Sequence, residues 1–487
     1  MFVFCGGSIL VFSSLLFVFF FFAITMAVYC YVGTIELKNR VLLISSLIFY
    51  AWGGPKYLIL LLLMAFISWF SAIQIENLSD KRFLKRLALI LGVGIQLGFI
   101  GYFKYTMFIL ENIQNITGFP EVIPEIVLPI GISFYTFQLI SYVVDVYRGD
   151  VAAQRKYTLV LLYCSLFHQC IAGPIVRYID VEREIVHRKP RIPEIGRGIN
   201  RFTIGLFKKA VLANSCAQIA DSLLPEGIMN FNAVPALGLW LGAFMYMLQI
   251  YLDFSAYSDM AIGMGLMVGF HYKENFNYPY ISDSVTEFWR RWHISLSSFF
   301  RDYVYIPLGG NRKGEKRTII NLFVVWALTG LWHGASWNFV FWGLYYFVFL
   351  ILEKYILKEK IAALPKAAKH AYALVVIYFG WIIFKFTDIK MLGNMLKGMI
   401  GLNGNGFINL EVSMMFTNNI FFIIAAVIAC TPLLKEGYKW FSRKCKTVFV
   451  FKYIRRVIEV AGPVVLLFIC TMALVGNSYN PFLYFQF

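Results

Sequence analysis

The sequence predicts an all-α, polytopic membrane protein with roughly 11 spans plus re-entrant helices. Three observations carry this. Hydrophobic residues make up 59% of the chain and charged residues only 15%, at a mean hydropathy of +0.68. That is more apolar sequence than a soluble core needs. The apolar residues gather into runs near bilayer-crossing length. Lys and Arg, the source of a formal net charge of +17, gather instead in short loops between the runs, as they do on the cytoplasmic side of membrane proteins. Nucleic acid is not an expected partner, because binding it needs cations on one continuous face.

In chain order the apolar runs lie near 9–32, 41–52, 57–75, 87–105, 126–147, 158–176, 202–222, 235–270, 318–352, 371–386, 416–434 and 460–476. The first, Ile9 to Val32, lacks a basic stretch before it and a small-x-small cleavage site after it, so it reads as a retained span rather than a signal peptide. Loops Asp80 to Arg86, Arg148 to Lys156, Arg177 to Lys209, Arg301 to Arg317, Glu353 to Lys369 and Lys435 to Arg456 hold most of the cations and are placed in the cytoplasm. Glu111 to Glu125, Pro225 to Pro235 and Gly393 to Ser413 are placed outside, with both termini.

Two runs then begin and end on the cytoplasmic side. The run 158–176 is too short to cross twice and is predicted re-entrant, broken at Gly173-Pro174. The run 318–352 is long enough for a tight hairpin. Gly330 and Gly334 mark its bend around His333, which should face an internal cavity and not lipid. With no repeat and no low-complexity linker, the chain reads as a single domain over residues 1–487, its core about 126–352 and peripheral helices at both ends.

Chemistry concentrates between Thr286 and Asn338. An ionisable side chain at membrane depth is costly unless solvated, paired or used, which makes His293 and His333 functional candidates. Ser284-Val-Thr-Glu287 fits a capping box and predicts a helix from near Val285 to before Pro307. On such a helix Trp289, His293 and Ser297 share one face. Trp289 and Trp292 are expected as anchors at headgroup level, with Arg290 and Arg291 turned to headgroups or a wet cavity. Asp145, Asp253 and Asp259 lie in apolar sequence and must find partners, Arg or His on neighbouring helices, which suits structural roles. Asp302 beside Arg301 braces the His293 helix.

The 8 Cys are scattered without a Cys-x-x-Cys pair, so they read as buried hydrophobes, and no metal site is expected. Gly-x-Ser-x-Gly, a Walker loop and His-Glu-x-x-His are all absent, which leaves serine hydrolase, ATPase and zinc protease readings without a foothold.

Val11 to Phe17, Leu128 to Gln138, Ser141 to Gly149, Ile171 to Arg177, Tyr251 to Gly263, Asn275-Phe-Asn277, Glu287 to His293, Arg301-Asp302-Tyr303, Ile306 to Lys313, Leu331-Trp332-His333-Gly334 and Asn480 to Phe487 form an ordered set. Together they resemble the successive motifs of the membrane-bound O-acyltransferase (MBOAT) superfamily, in its alginate O-acetylation branch. Two positions depart from that pattern. Where His168 and Cys170 stand the family usually has Pro and Leu, so neither takes a role. The ten residues before Val11 have no counterpart, as a start codon assigned too far upstream would explain.

The resemblance implies the MBOAT fold, a helical body pierced by a central tunnel, with an acyl thioester such as acetyl-CoA as donor substrate and no bound cofactor. It implies a bacterial inner-membrane enzyme that moves acetyl groups outward for O-acetylation of a polysaccharide, with an extracytoplasmic SGNH-type acetyltransferase as partner. Thioester-to-hydroxyl transfer needs a base, donors for the oxyanion and exclusion of water. A buried imidazole stays neutral and can serve as that base. By resemblance the base falls on His333. Its companion is His293, which orients the acceptor or stabilises charge. Trp289, Trp292, Trp332, Arg301, Asp302 and Asp253 are supporting residues.

Arg312 and Lys313, with Lys316 and Arg317 beside Gly309-Gly310, could attract the donor's phosphates, although topology explains them equally well. D-alanyl transfer from a carrier protein to teichoic acid is a second enzymatic reading. A histidine-lined transporter and a b-type haem protein with two axial histidines are readings of other classes.

Overall fold

The computed structural model describes residues 10–120, 122–171, 173–224, 231–444, 449–476 and 479–481. Among these, helices dominate and there is no strand. The helices Pro55–Asn77, Arg82–Thr117, Ala236–Val268, Trp337–Ile356, Lys366–Lys385, Leu410–Ala429 and Tyr453–Gly476 are long and apolar enough to cross a membrane. The first apolar run forms a shorter helix, Phe17–Tyr31. The remaining runs are helical too, but short or studded with polar residues. Ile35–Trp52, for example, carries Glu36, Lys38 and Arg40 in its first turns.

The chain divides into two compact units, Met1–Phe202 with Tyr257–Glu274, and Thr203–Ala256 with Asn275–Phe487. In the first, Pro55–Asn77 packs against both Arg82–Ile100 and Ile132–Arg148. Small residues permit the close approach. A Cβ on Gly92 would meet Ser71 Oγ at 2.7 Å, and Gln96 Nε2 donates to Met64 O and Ser68 Oγ, each at 2.8 Å. Pro55 opens its helix at a position where the missing N–H costs nothing. Gly149, at φ +83°, closes Ile132–Arg148 in the left-handed conformation that favours glycine.

The run 158–176 is broken earlier than expected, at Leu166, as well as in the stretch that holds Gly173-Pro174. Tyr157–Ser165 and Phe167–Cys170 are separate short helices with extended chain beyond. Asp259 finds its cation in Arg201, at 2.9 Å. Arg201 also bonds Glu274 at 2.6 Å. Their shared fork holds the guanidinium above its ordinary value: burial opposes this, and the two carboxylates outweigh it.

The second unit is built around an aromatic core. Glu315–His333 and Trp337–Ile351 form the predicted helical hairpin, turning at 334–336. Its arms touch at two glycines. A Cβ on Gly330 would meet Phe339 O at 2.3 Å, and one on Gly343 would meet Trp326 O at 2.4 Å. Lys366–Lys385 lies against the second arm, fixed where Asn338 Nδ2 donates to Phe384 O at 3.0 Å.

The continuous helix expected from Val285 to Pro307 does not form. Val285–Arg291 and Ile294–Phe300 are two helices, and between them His293 adopts φ +42°. The i, i+4 face of Trp289, His293 and Ser297 is therefore lost. The break has a long-range cause: Asn277 N donates to Arg291 O and Asn275 O accepts from Ile294 N, both at 2.9 Å. The capping box forms with its return bond shifted by one residue: Ser284 Oγ accepts from Glu287 N at 3.0 Å, and Glu287 Oε2 accepts from Asp283 N at 2.9 Å rather than from the N-cap N–H. Glu353 adds a second cap. Its buried carboxylate accepts from Val285 N at 2.6 Å and from Thr286 N at 2.8 Å, placing negative charge at a helix N-terminus.

Candidate active site

Two imidazoles and one indole make the centre of the second unit. His333 is the last residue of the first hairpin arm and is buried. Edge-to-face rings enclose it: Trp342 at 4.9 Å, Phe384 at 5.3 Å and its neighbour Trp332 at 4.9 Å. His293 is 1% exposed and packs against Phe254 at 4.7 Å. Trp332 also stands 5.7 Å from His293. One indole is thus the common neighbour of both histidines, which lie 40 positions apart in sequence only because a hairpin arm returns one to the other.

The protonation of His293 follows from its neighbours. The backbone N–H of Ser295 donates to Asn275 Oδ1 at 3.1 Å, and Ser295 Oγ does so at 2.8 Å. A backbone N–H can only donate, so the atom it meets is the amide oxygen and not the nitrogen. His293 Nδ1 lies 3.3 Å from that same oxygen, and so carries the proton. The lone pair is left on Nε2. His293 lies outside the spanning helices, and burial pushes its imidazole down to about 3, keeping it neutral. Its left-handed backbone is a strain of the kind found at functional sites.

The supporting residues divide. Trp292 adjoins His293 in sequence and packs on Trp381 at 4.7 Å and Phe276 at 5.0 Å. Trp289 belongs to the His333 side, against Trp326 at 4.7 Å, Tyr346 at 4.8 Å and Trp342 at 5.4 Å. Neither is a headgroup anchor, because protein rings cover both.

Asp253 is buried and paired with Lys209 at 2.7 Å, a Lys where Arg or His was expected. Lys209 also donates to Pro481 O. Asp253 precedes Phe254, the ring on His293, so the ion pair fixes that ring's helix. Arg301 bonds Asp302 at 2.6 Å with its own side chain 63% exposed, a surface pair rather than part of the buried centre. Arg312 and Lys313 are exposed on the glycine turn, where Gly309 and Gly310 take φ +109° and +57°. Asn321 Nδ2 holds that turn by donating to Gly310 O at 2.8 Å.

Asn275 and Trp342 were not anticipated as site residues. Asn275 stood within a recognised Asn-Phe-Asn motif. Trp342 gave no signal beyond its place in the second arm. Its Nε1–H is buried with no acceptor among the described residues.

The MBOAT family model, for the membrane-bound O-acyltransferase family, matches residues 155–396, a stretch that includes both histidines. A probable alginate O-acetylase AlgI of Pseudomonas putida is 36% identical over 494 residues, covering 98% of this chain and 100% of that protein. The chain belongs to the membrane-bound O-acyltransferase family. It is therefore an O-acyltransferase and a membrane protein, and bond-making chemistry takes precedence over the transport and haem readings. Other members are similar over most of its length. The probable alginate O-acetylase AlgI of Pseudomonas aeruginosa is 40% identical over 394 residues, 80% of this chain and 75% of the relative. The peptidoglycan O-acetyltransferase of Helicobacter pylori is 33% identical over 431 residues, 81% of each.

Proposed function

We propose that this O-acyltransferase takes acetyl groups from cytoplasmic acetyl-CoA and passes them across the bacterial inner membrane for O-acetylation of a secreted or cell-surface polysaccharide. The final ester is made with an extracytoplasmic SGNH-type partner. Acetyl is favoured over D-alanyl because relatives named as O-acetylases align over four-fifths or more of the chain.

The observation that carries the reading is the pair of buried imidazoles with Trp332 between them. His333 takes the proton of the acceptor hydroxyl as its oxygen attacks the thioester carbonyl. Collapse breaks the C–S bond, and the imidazolium returns its proton to the departing thiolate. His293, whose Nδ1–H is spent on Asn275 Oδ1, has its lone pair on Nε2, so of its two expected roles it orients the acceptor by accepting from a neighbouring hydroxyl, the attacking hydroxyl's one proton going to His333. The Nε1–H of Trp342 finds no acceptor among the described residues and is available to the carbonyl oxygen as negative charge develops there. The aromatic walls exclude water that would hydrolyse the thioester. Arg312 and Lys313 meet the donor's phosphates. Trp289, Trp292 and Asp253 hold the imidazoles in place, and Arg301 with Asp302 braces the chain beyond His293.

The test uses purified full-length protein in lipid nanodiscs, radiolabelled acetyl-CoA, the SGNH partner and glycan. Acceptor-dependent transfer of label, absent in a folded His333→Ala variant, is expected. Full transfer by that variant would end the assignment.

A further inference from the structure

The second unit contains a cleft of about 720 Å³ between Ala236–Val268, Lys366–Lys385 and Leu410–Ala429. All three helices are long and apolar enough to span a bilayer. The walls are almost wholly hydrocarbon, with Leu241, Phe244, Leu374 and Phe416 among them. Val375, Phe416 and Val427, at its lip, are 56%, 44% and 38% exposed. The cleft therefore opens sideways, towards whatever surrounds the helices, which for spanning segments is lipid.

Polar groups on the walls are few: the hydroxyls of Tyr280 and Tyr378 are spent on Met247 O and Trp240 O and the Trp240 Nε1–H on Met399 O, with Ser413 at one end and His370 and Thr431 at the other. The two ends differ in charge. Beside His370 stand Lys366 and Lys369, and beyond Thr431 the helix Leu433–Lys444 brings Lys435, whose ammonium lies 5.8 Å from the ring of Tyr278, near the lining residue Tyr280. The one carboxylate of that helix, Glu436, is engaged by Lys439 at 2.6 Å and also feels Lys435 and Arg443, so it offsets only part of the helix's positive charge. At the Ser413 end the adjoining segment 401–413 has Glu411 as its one charge.

We infer that this cleft is a binding site for an anionic glycerophospholipid, its acyl chain in the groove and its phosphate at the Lys435 and His370 end. An apolar groove facing hydrocarbon gains packing contacts when a chain fills it and leaves poorly packed walls otherwise. A cationic rim at one end selects an anionic headgroup, as juxtamembrane cations do on the cytoplasmic face. The site is separate from the histidine pair and does not depend on acyl transfer.

The experiment is native mass spectrometry of the full-length protein released from nanodiscs holding equal phosphatidylglycerol and phosphatidylcholine. The wild type should retain phosphatidylglycerol preferentially. Val427→Trp, which fills the groove from its exposed lip, should cut retention of both lipids by about tenfold or more. Lys435→Gln should keep lipid but lose the preference. Equal retention by Val427→Trp would overturn the site, and equal retention of the two lipids by the wild type would overturn the headgroup assignment. A photo-crosslinker at position 427 that captures a protein helix instead of lipid would overturn the choice of occupant.

Discussion

The amide oxygen of Asn275 lies 3.3 Å from Nδ1 of His293 and fixes the imidazole's proton there. Asn275 is fully buried, so this contact is not exchanged with water. Asn275→Leu should lower kcat by about 10²-fold through misplacement of the ring. Asn275→Asp keeps the acceptor and should recover much of that loss near neutral pH. Its carboxylate would favour the imidazolium and raise the His293 pKa. Activity of Asn275→Asp should then fall as pH drops through the ordinary histidine range by an extra limb that the wild type, with the His293 imidazole pushed down to about 3, lacks, whatever limb His333 gives to both. A pH–rate profile for the three proteins checks this.

Trp342→Phe retains a ring against His333 and removes the Nε1–H. If that donor meets the thioester carbonyl, kcat should fall by about 10²- to 10³-fold with little change in KM. Steady-state kinetics separates this from a packing defect, which would appear as lost folded protein.

Gly330→Ala tests the hairpin. The added Cβ has a backbone oxygen at 2.3 Å, and neither arm can yield cheaply. A destabilisation of about 1–3 kcal/mol or more is expected, seen as a lowered thermal midpoint in detergent. Gly196→Ala, with nothing within 4 Å of the added atom, is the control and should leave the midpoint unchanged or raised.

Glu287 carries a pH dependence. Burial alone would raise its carboxyl, but the Asp283 N–H and the Arg291 guanidinium outweigh burial and hold it below its ordinary value. With the folded value depressed, its contribution is complete above the ordinary carboxylate range and is lost as pH falls through the lowered value. Glu287→Gln should flatten the acid limb of a stability-against-pH curve, at a cost under about 1 kcal/mol at neutral pH.

Local signals made much of this protein legible. The capping box at Ser284 and the hairpin bend at Gly334 both depend on residues within a few positions, and both are where the sequence puts them. The break at His293 was not legible, because nothing between Val285 and Pro307 interrupts helical periodicity. The interruption comes from Asn275 and Asn277, whose backbones pair with Arg291 and Ile294 across a turn. Trp289 and Trp292 were misjudged for the same reason. A tryptophan near charged residues suits a membrane interface, and only the return of Trp326, Tyr346 and Trp381 from distant sequence encloses these two. His333 stands out in the sequence because an imidazole among apolar residues is conspicuous wherever it folds. Asn275, a common polar residue in a polar stretch, is not.

Glu353 sits at the far end of the arm that follows His333, yet its carboxylate grips the first turn of the segment that leads to His293. The two imidazoles are thereby geared together from a distance. Any tilt of the hairpin during turnover would drag the His293 segment with it, and a partner protein pressing on either one could retune the spacing of both.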